Sequence, residues 1–253
     1  MIHDFGRTLF SLLEDSAGTG EIAAAAFKAA QIAFQRASSD PTLIHAFYLL
    51  TQIPLAARAD DFAKALHDRG LPVSAAPSLF ELLGAFGEAV DGFARQSAEV
   101  SVFGEMAQFA ATESLTALGK PDTASLFGLS TLDLQNSLRK LSTTKKFGFL
   151  TRDFFSRLTR RLLSYYLNRE LSNHVGPDRR FANIDAHTEF ARALDLHCRE
   201  ASRIVEDFAG GWFSKTEFEG GIDTEKTRGF LHVAFKKVKA EMKAKGKGLP
   251  NGA

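Results

Sequence analysis

The chain has 253 residues, is 45% hydrophobic and 24% charged, and carries a formal net charge of +1. A chain of that length removes about 70 to 75% of its unfolded surface from water, so a core forms without a metal, disulfide or cofactor to hold it. The single cysteine, Cys198, excludes an intramolecular disulfide, and no apolar run reaches about 18 residues, so no membrane span is expected.

Met1 is followed by the amphipathic run HDFGRTLFSLLED and not by a basic and then an apolar segment, which points to a cytoplasmic protein. Phe5, Leu9, Leu12 and Leu13 share one helix face. Gly18 and Gly20 separate them from an Ala-rich helix expected from Glu21 to about Ser38, whose small side chains suit the centre of a bundle. Asp40 and Pro41 form a helix start, a capping carboxylate followed by a ring whose φ fits the first turn. LIHAFYLLTQI is apolar on nearly every side; Pro54 is expected to kink or break it, and LAARADDFAKALHDRG to run on to a stop at Gly70. Pro77 or Ser78 opens a helix in which Leu79, Leu83, Phe86, Val90 and Phe93 make a heptad seam. The seam is short and interrupted by glycine, which suits contact within the bundle.

More helix is expected to Leu118, and GKPDTASLFG from Gly119 is the candidate boundary, since no alanine occurs between Leu126 and Phe181. Helices follow at Thr131 to Leu141, about Arg152 to Asn173, about Ala186 to Phe208 and about Thr224 to Lys243. The fold class is all-α, a helical bundle of eight or nine helices with room for one short β-hairpin near 212–218. Three parts are expected: an Ala-rich acidic helical region over 1–120, a basic and amphipathic one over 131–244 packed on it, and a flexible tail over 245–253. The 23 Phe against 3 Tyr and 1 Trp supply aromatic bulk with few polar handles, as dry helix packing requires.

Charge divides along the chain. Residues 1–138 hold 8 Lys+Arg against 16 Asp+Glu, and residues 139–180 hold 11 against 3. Such asymmetry bears on partners and not on fold. In the helix from Arg152, Phe154, Leu158, Leu162, Tyr165 and Tyr166 fall on one side and Arg157, Arg160, Arg161, Ser164 and Asn168 on the other. With Lys145 and Lys146 before it and Arg179 and Arg180 after it, the arginine side offers guanidinium forks to a polyanion or an acidic protein, or lies against the acidic half of the same chain. Arg169 falls on the apolar side, where a structural ion pair is expected. The last helix turns Lys236, Lys239 and Lys243 outward, where cations near a helix C-terminus favour its dipole, or form a basic arm for nucleic acid or an acidic surface.

AGGWFSKTEFEGG, Ala209 to Gly221, sets the only Trp between two glycine pairs. It reads as a loop or tight hairpin presenting Trp212, Phe213 and Phe218 to a partner, or as a plug folded back on the bundle. His197 faces the core, with His187 and Cys198 near the margin of the same side; HxxE at His197 and Glu200 reverses the order of helical di-iron sites, so a satisfied core histidine is expected. No GxxxxGK[ST], GxGxxG, GxSxG, HExxH, CxxC pair or acidic calcium loop occurs, so no catalytic residue, metal site or cofactor is assigned.

The leading expectation is a non-enzymatic helical interaction protein, an adaptor or structural subunit. It would use the cationic face (Lys145, Lys146, Arg157, Arg160, Arg161) and the aromatic loop (Trp212, Phe213, Phe218) toward a protein partner. A nucleic-acid-binding helical protein is the second reading. An enzyme or ligand binder with a site near His45, Tyr48, His187 or His197 is the third. Oligomeric state is left open.

Overall fold

The computed structural model describes residues 31, 33–97, 101–119, 130–171 and 184–245. Among them are nine helices and no strand: α1 (Pro41–Ala56), α2 (Phe62–His67), α3 (Leu79–Gln96), α4 (Val102–Leu118), α5 (Thr131–Lys140), α6 (Thr144–Leu171), α7 (Ile184–Ala201), α8 (Arg203–Phe218) and α9 (Thr224–Lys245). Residues 33–37 add the end of a further helical stretch, with Phe34 and Ala37 buried. The rest of the Ala-rich helix, the boundary at 120–129 and the tail beyond Lys245 lie outside the described residues.

The helices start where short polar side chains satisfy their first N–H groups. Asp40 Oδ1 accepts the Leu43 N–H at 2.8 Å, Asp61 that of Lys64 at 2.9 Å, Ser78 that of Glu81 at 3.2 Å and Ser101 that of Gly104 at 2.9 Å. Ser130 and Asp133 form a reciprocal capping box on α5. Two of these caps are joined, since the Ser101 hydroxyl donates to the second oxygen of Asp40, so α1 and α4 begin side by side. Gly104 makes that closeness feasible: a Cβ there would overlap the Thr42 side chain.

Around Pro54 two expected boundaries differ. Pro54 lies inside α1 without ending it; the helix runs to Ala56, and the Ala57 N–H still reaches the Ile53 carbonyl at 3.1 Å. The carbonyls freed beyond it are taken from outside: Ala57 accepts from Arg139 Nε at 2.8 Å and Ala59 from Gln135 Nε2 at 2.7 Å, so α5 caps the C-terminus of α1. The expected long helix after Pro54 is only α2, because residues 57–61 form turns and bends before Asp61 restarts it. Its stop at Gly70 is as expected, with φ +77°.

α6 is the longest element and its contacts order the others. Phe109 and Glu113 of α4 meet Arg161 and Arg157, so α4 runs antiparallel to α6. Asp195 of α7 meets Arg160, Glu206 of α8 meets Arg152, and Ser214 meets Thr144, so α7 and α8 together run back along α6. They are one helical path divided at Ser202, where the Val205 N–H closes a tighter i→i+3 turn on the Ser202 carbonyl at 3.0 Å. α9 packs Phe230, Leu231, Ala234, Phe235, Val238 and Met242 into the core, the face the sequence turned inward.

That core is largely phenylalanine. Phe47 of α1 stacks on Phe230 at 5.4 Å and tilts against Phe154 at 5.1 Å, while Phe155 meets Phe235 edge-on at 5.4 Å, and Phe235 meets Phe34 at 5.7 Å. Such ring pairs add roughly 0.5–1.5 kcal/mol each beyond their area burial. The same cluster holds Leu43 and Leu82 from before the expected boundary and Leu158 and Val205 from after it. The α3 seam also turns toward it, with Phe86 and Val90 buried and Leu79 and Leu83 packed against its edge.

Candidate interaction surfaces

The arginine side of α6 exists, but its charges are answered within the chain. Arg157 bonds Asp153, one turn earlier, at 2.6 Å and Glu113 of α4 at 3.2 Å. Arg161 pairs with the other oxygen of Glu113 and lies over the Phe109 ring at 5.1 Å. Arg160 reaches Asp195 of α7 at 3.4 Å. Burial opposes the Arg157 charge, but the hydrogen bonds and charges of Asp153 and Glu113 outweigh it and hold its pKa above the ordinary value. The pairs are partly solvated, so each stabilises by only about 0–1 kcal/mol. Of the three expected alternatives, the acidic half of the same chain supplies Glu113, the residue that engages two of these arginines. Tyr165, placed with the apolar side of this helix, is 57% exposed. The side chains of Tyr166, Arg169 and His187, and residues 179 and 180, lie outside the described residues.

Lys145 and Lys146 are in the first turn of α6, which begins about two turns earlier than the expected start near Arg152, and both are exposed. Among the described residues neither has an acidic partner. Next to them, Thr144 shares a hydrogen bond with Ser214 at 2.6 Å.

The stretch expected as a loop or hairpin near 212–218 is helix, the second half of α8. Its buried positions, Val205, Ala209, Gly210, Phe213 and Thr216, follow helical spacing. The first glycine pair is a packing notch and not a hinge. A Cβ on Gly210 would run into the Thr144 carbonyl oxygen, and one on Gly148 of α6 would come within 2.9 Å of the Glu206 carbonyl oxygen. Helices α6 and α8 approach at backbone distance there, which only glycine allows. The second pair is the turn: Gly220 and Gly221 take φ +97° and +93°, and the Gly221 N–H returns to the Thr216 carbonyl at 3.1 Å.

The three aromatic candidates therefore separate. Phe213 is core, stacked on Phe147 at 4.0 Å with Arg58 over its ring at 5.5 Å. Trp212 is half-buried, its ring 4.3 Å from Phe230. Phe218 alone points outward, 92% exposed at the end of α8. They do not form one presented cluster.

A second group of cations without acids, larger than the Lys145–Lys146 pair, sits on α9. Lys236, Lys237 and Lys243 are exposed and Lys239 is half-buried at the margin of the same face. Among the described residues none of the four has a carboxylate partner, and the Lys237 ammonium lies 5.4 Å from the Phe208 ring centre. Between them the surface carries Val233, Ala240 and Ala244, with Gly229 and His232 one turn earlier. Of the acids on this helix, Glu225 pairs with Arg228 at 2.9 Å, and Glu241 is half-buried one turn beyond Lys237 without a salt bridge to it. Sequence spacing turns Lys236, Lys239 and Lys243 outward and leaves the helix dipole and a basic arm as alternatives; pairing is not readable from one helix.

The remaining titratable candidates are buried or half-buried. Cys198 is fully buried and burial, with Asp195 nearby, pushes its thiol up to about 12, so it stays protonated at neutral pH. His197 is half-buried on α7. His45 stacks on Phe93 at 4.2 Å and 10°, and burial lowers its pKa below 6.5. No group of three or more His, Cys, Asp or Glu with metal-binding placement occurs among the described residues, and none of their helices is long and apolar enough to cross a membrane. Comparison of the chain with protein-family models, curated proteins and solved structures returns no match.

Proposed function

We propose that the chain is a non-enzymatic interaction protein, an adaptor or structural subunit, that binds an anionic partner through the lysine face of α9. One observation carries the reading: Arg157, Arg160 and Arg161 of α6 are spent on Glu113, Asp153 and Asp195, whereas among the described residues Lys236, Lys237, Lys239 and Lys243 have no acid to answer them. Unanswered like charges on one face repel one another, and an incoming anion relieves that repulsion. Lys145 and Lys146 extend the same capacity at the start of α6. Phe218 belongs to this reading as an exposed apolar contact, while Trp212 and Phe213 support the fold. The enclosed Cys198 and His45 fit a binding protein better than a catalyst, and the cytoplasmic location expected from the sequence is kept.

Retention on immobilised heparin, a generic polyanion, tests the reading. Wild type is expected to bind at low salt and elute with a salt gradient. Lys236→Gln, Lys239→Gln and Lys243→Gln together should elute at distinctly lower salt with unchanged helical circular dichroism. Arg157→Ser, Arg160→Ser and Arg161→Ser together should shift elution less. Equal elution of wild type and the lysine variant refutes the assignment.

A further inference from the structure

Resting on that reading, we infer that the anion recognised by the α9 face is the phosphate backbone of nucleic acid, bound without regard to sequence. Three features of the face select this partner. Its strong cations are all lysine, and among the exposed residues of α9 between them Val233 is the bulkiest apolar group, with Phe208 only half-buried beside Lys237. Protein–protein contacts deplete lysine and lean on buried aromatic or arginine anchors, whereas nucleic-acid contacts are more polar and far more positive. The apolar side of α9, from Phe230 to Met242, is already committed to the core, so this helix cannot lay an apolar face into a lipid surface. Finally, Lys236 to Lys243 covers two helical turns, about 10 Å, the length over which one strand of a duplex presents about three phosphates.

The face also defines what is not read. Lysine ammoniums are point charges without the fork that selects a base edge, and no Asn, Gln or Arg lies among the exposed residues from Gly229 to Ala244. The contact is therefore electrostatic, equal across sequences and steeply dependent on salt.

Fluorescence anisotropy with labelled duplex and single-stranded oligonucleotides of two unrelated sequences, at salt from about 50 to 200 mM, tests the proposal. Wild type should bind both sequences within about twofold of each other, with log affinity falling against log salt at a slope of about −3 on duplex for about three phosphate contacts. The triple Lys→Gln variant should bind at least about tenfold more weakly at low salt, with the slope reduced by about 2 to 3. A Lys236→Arg, Lys239→Arg, Lys243→Arg variant should retain binding, which separates loss of charge from loss of fold. No oligonucleotide binding by wild type, or binding unaffected by Lys→Gln, overturns the nucleic-acid assignment. So does tighter association with vesicles of anionic phospholipid than with oligonucleotide. If heparin retention still depends on the lysines in any of these cases, the anionic-partner reading stands and only the nucleic acid is wrong; if it does not, both fall.

Discussion

Adjacent glycines on α8 should respond to the same substitution with opposite sign. An alanine at Gly211 meets nothing within 4 Å, so Gly211→Ala gains helix propensity in a helix interior without strain, about 0.5–1 kcal/mol. At Gly210 the same methyl would overlap the Thr144 carbonyl oxygen, a backbone atom held in α6 that cannot turn aside as a side chain would. Relief requires α6 and α8 to separate, which loosens the Phe147–Phe213 stack at 4.0 Å and the Thr144–Ser214 hydrogen bond at 2.6 Å. Overpacking of this kind costs about 1–3 kcal/mol and a lost hydrogen bond about 1 more, against about 1 regained in propensity. The net loss for Gly210→Ala is about 2 kcal/mol. For a chain of this size that corresponds to a melting temperature about 4–8 °C lower, with Gly211→Ala about 1–4 °C higher. Thermal melts followed by circular dichroism measure both. A Gly210→Ala protein as stable as wild type would refute the close approach of α6 and α8, and a loss at Gly211 would refute the helical assignment of this stretch.

Two further measurements probe enclosed groups. Burial holds the His45 pKa below 6.5, so the unfolded chain binds the proton first as pH falls; the stability this group contributes is intact above about pH 6.5 and lost below it. Urea melts between about pH 7 and 5 should show a shallower decline for His45→Phe, which keeps a ring against Phe93, than for wild type, and parallel declines would contradict this. The Cys198 thiol, pushed up to about 12, should react with an aromatic disulfide reagent at about pH 8 only on unfolding, and rapid labelling of the native protein would show that it is open to solvent.

Local patterns in the chain determined a good deal. Asp40, Ser78 and Ser101 are short acceptors placed just before apolar-periodic runs, and each caps the helix it announces. The inward set of α9 follows from 3.6-residue spacing alone, because one helix face meets one core. The all-α class and the aromatic core were legible for the same reason, since both depend on composition and period.

What only the tertiary structure decided is what each surface meets. Gly210 and Gly211 are indistinguishable in sequence and look like a hinge; whether glycine breaks a helix or lets another helix approach depends on a neighbour 66 residues away, Thr144. Whether Arg157 and Arg161 face a partner or the acidic half of the same chain is open in the sequence, because their shared acid, Glu113, is 44 and 48 residues distant. Trp212 and Phe213 read as presented for want of knowing that Phe230 and Phe147 lie beside them. Periodicity is local and assigns a side chain to a face, whereas charge pairing and close approach are relations between faces. The lysines of α9 became the candidate surface only when the described helices were in place and none of them supplied an acid.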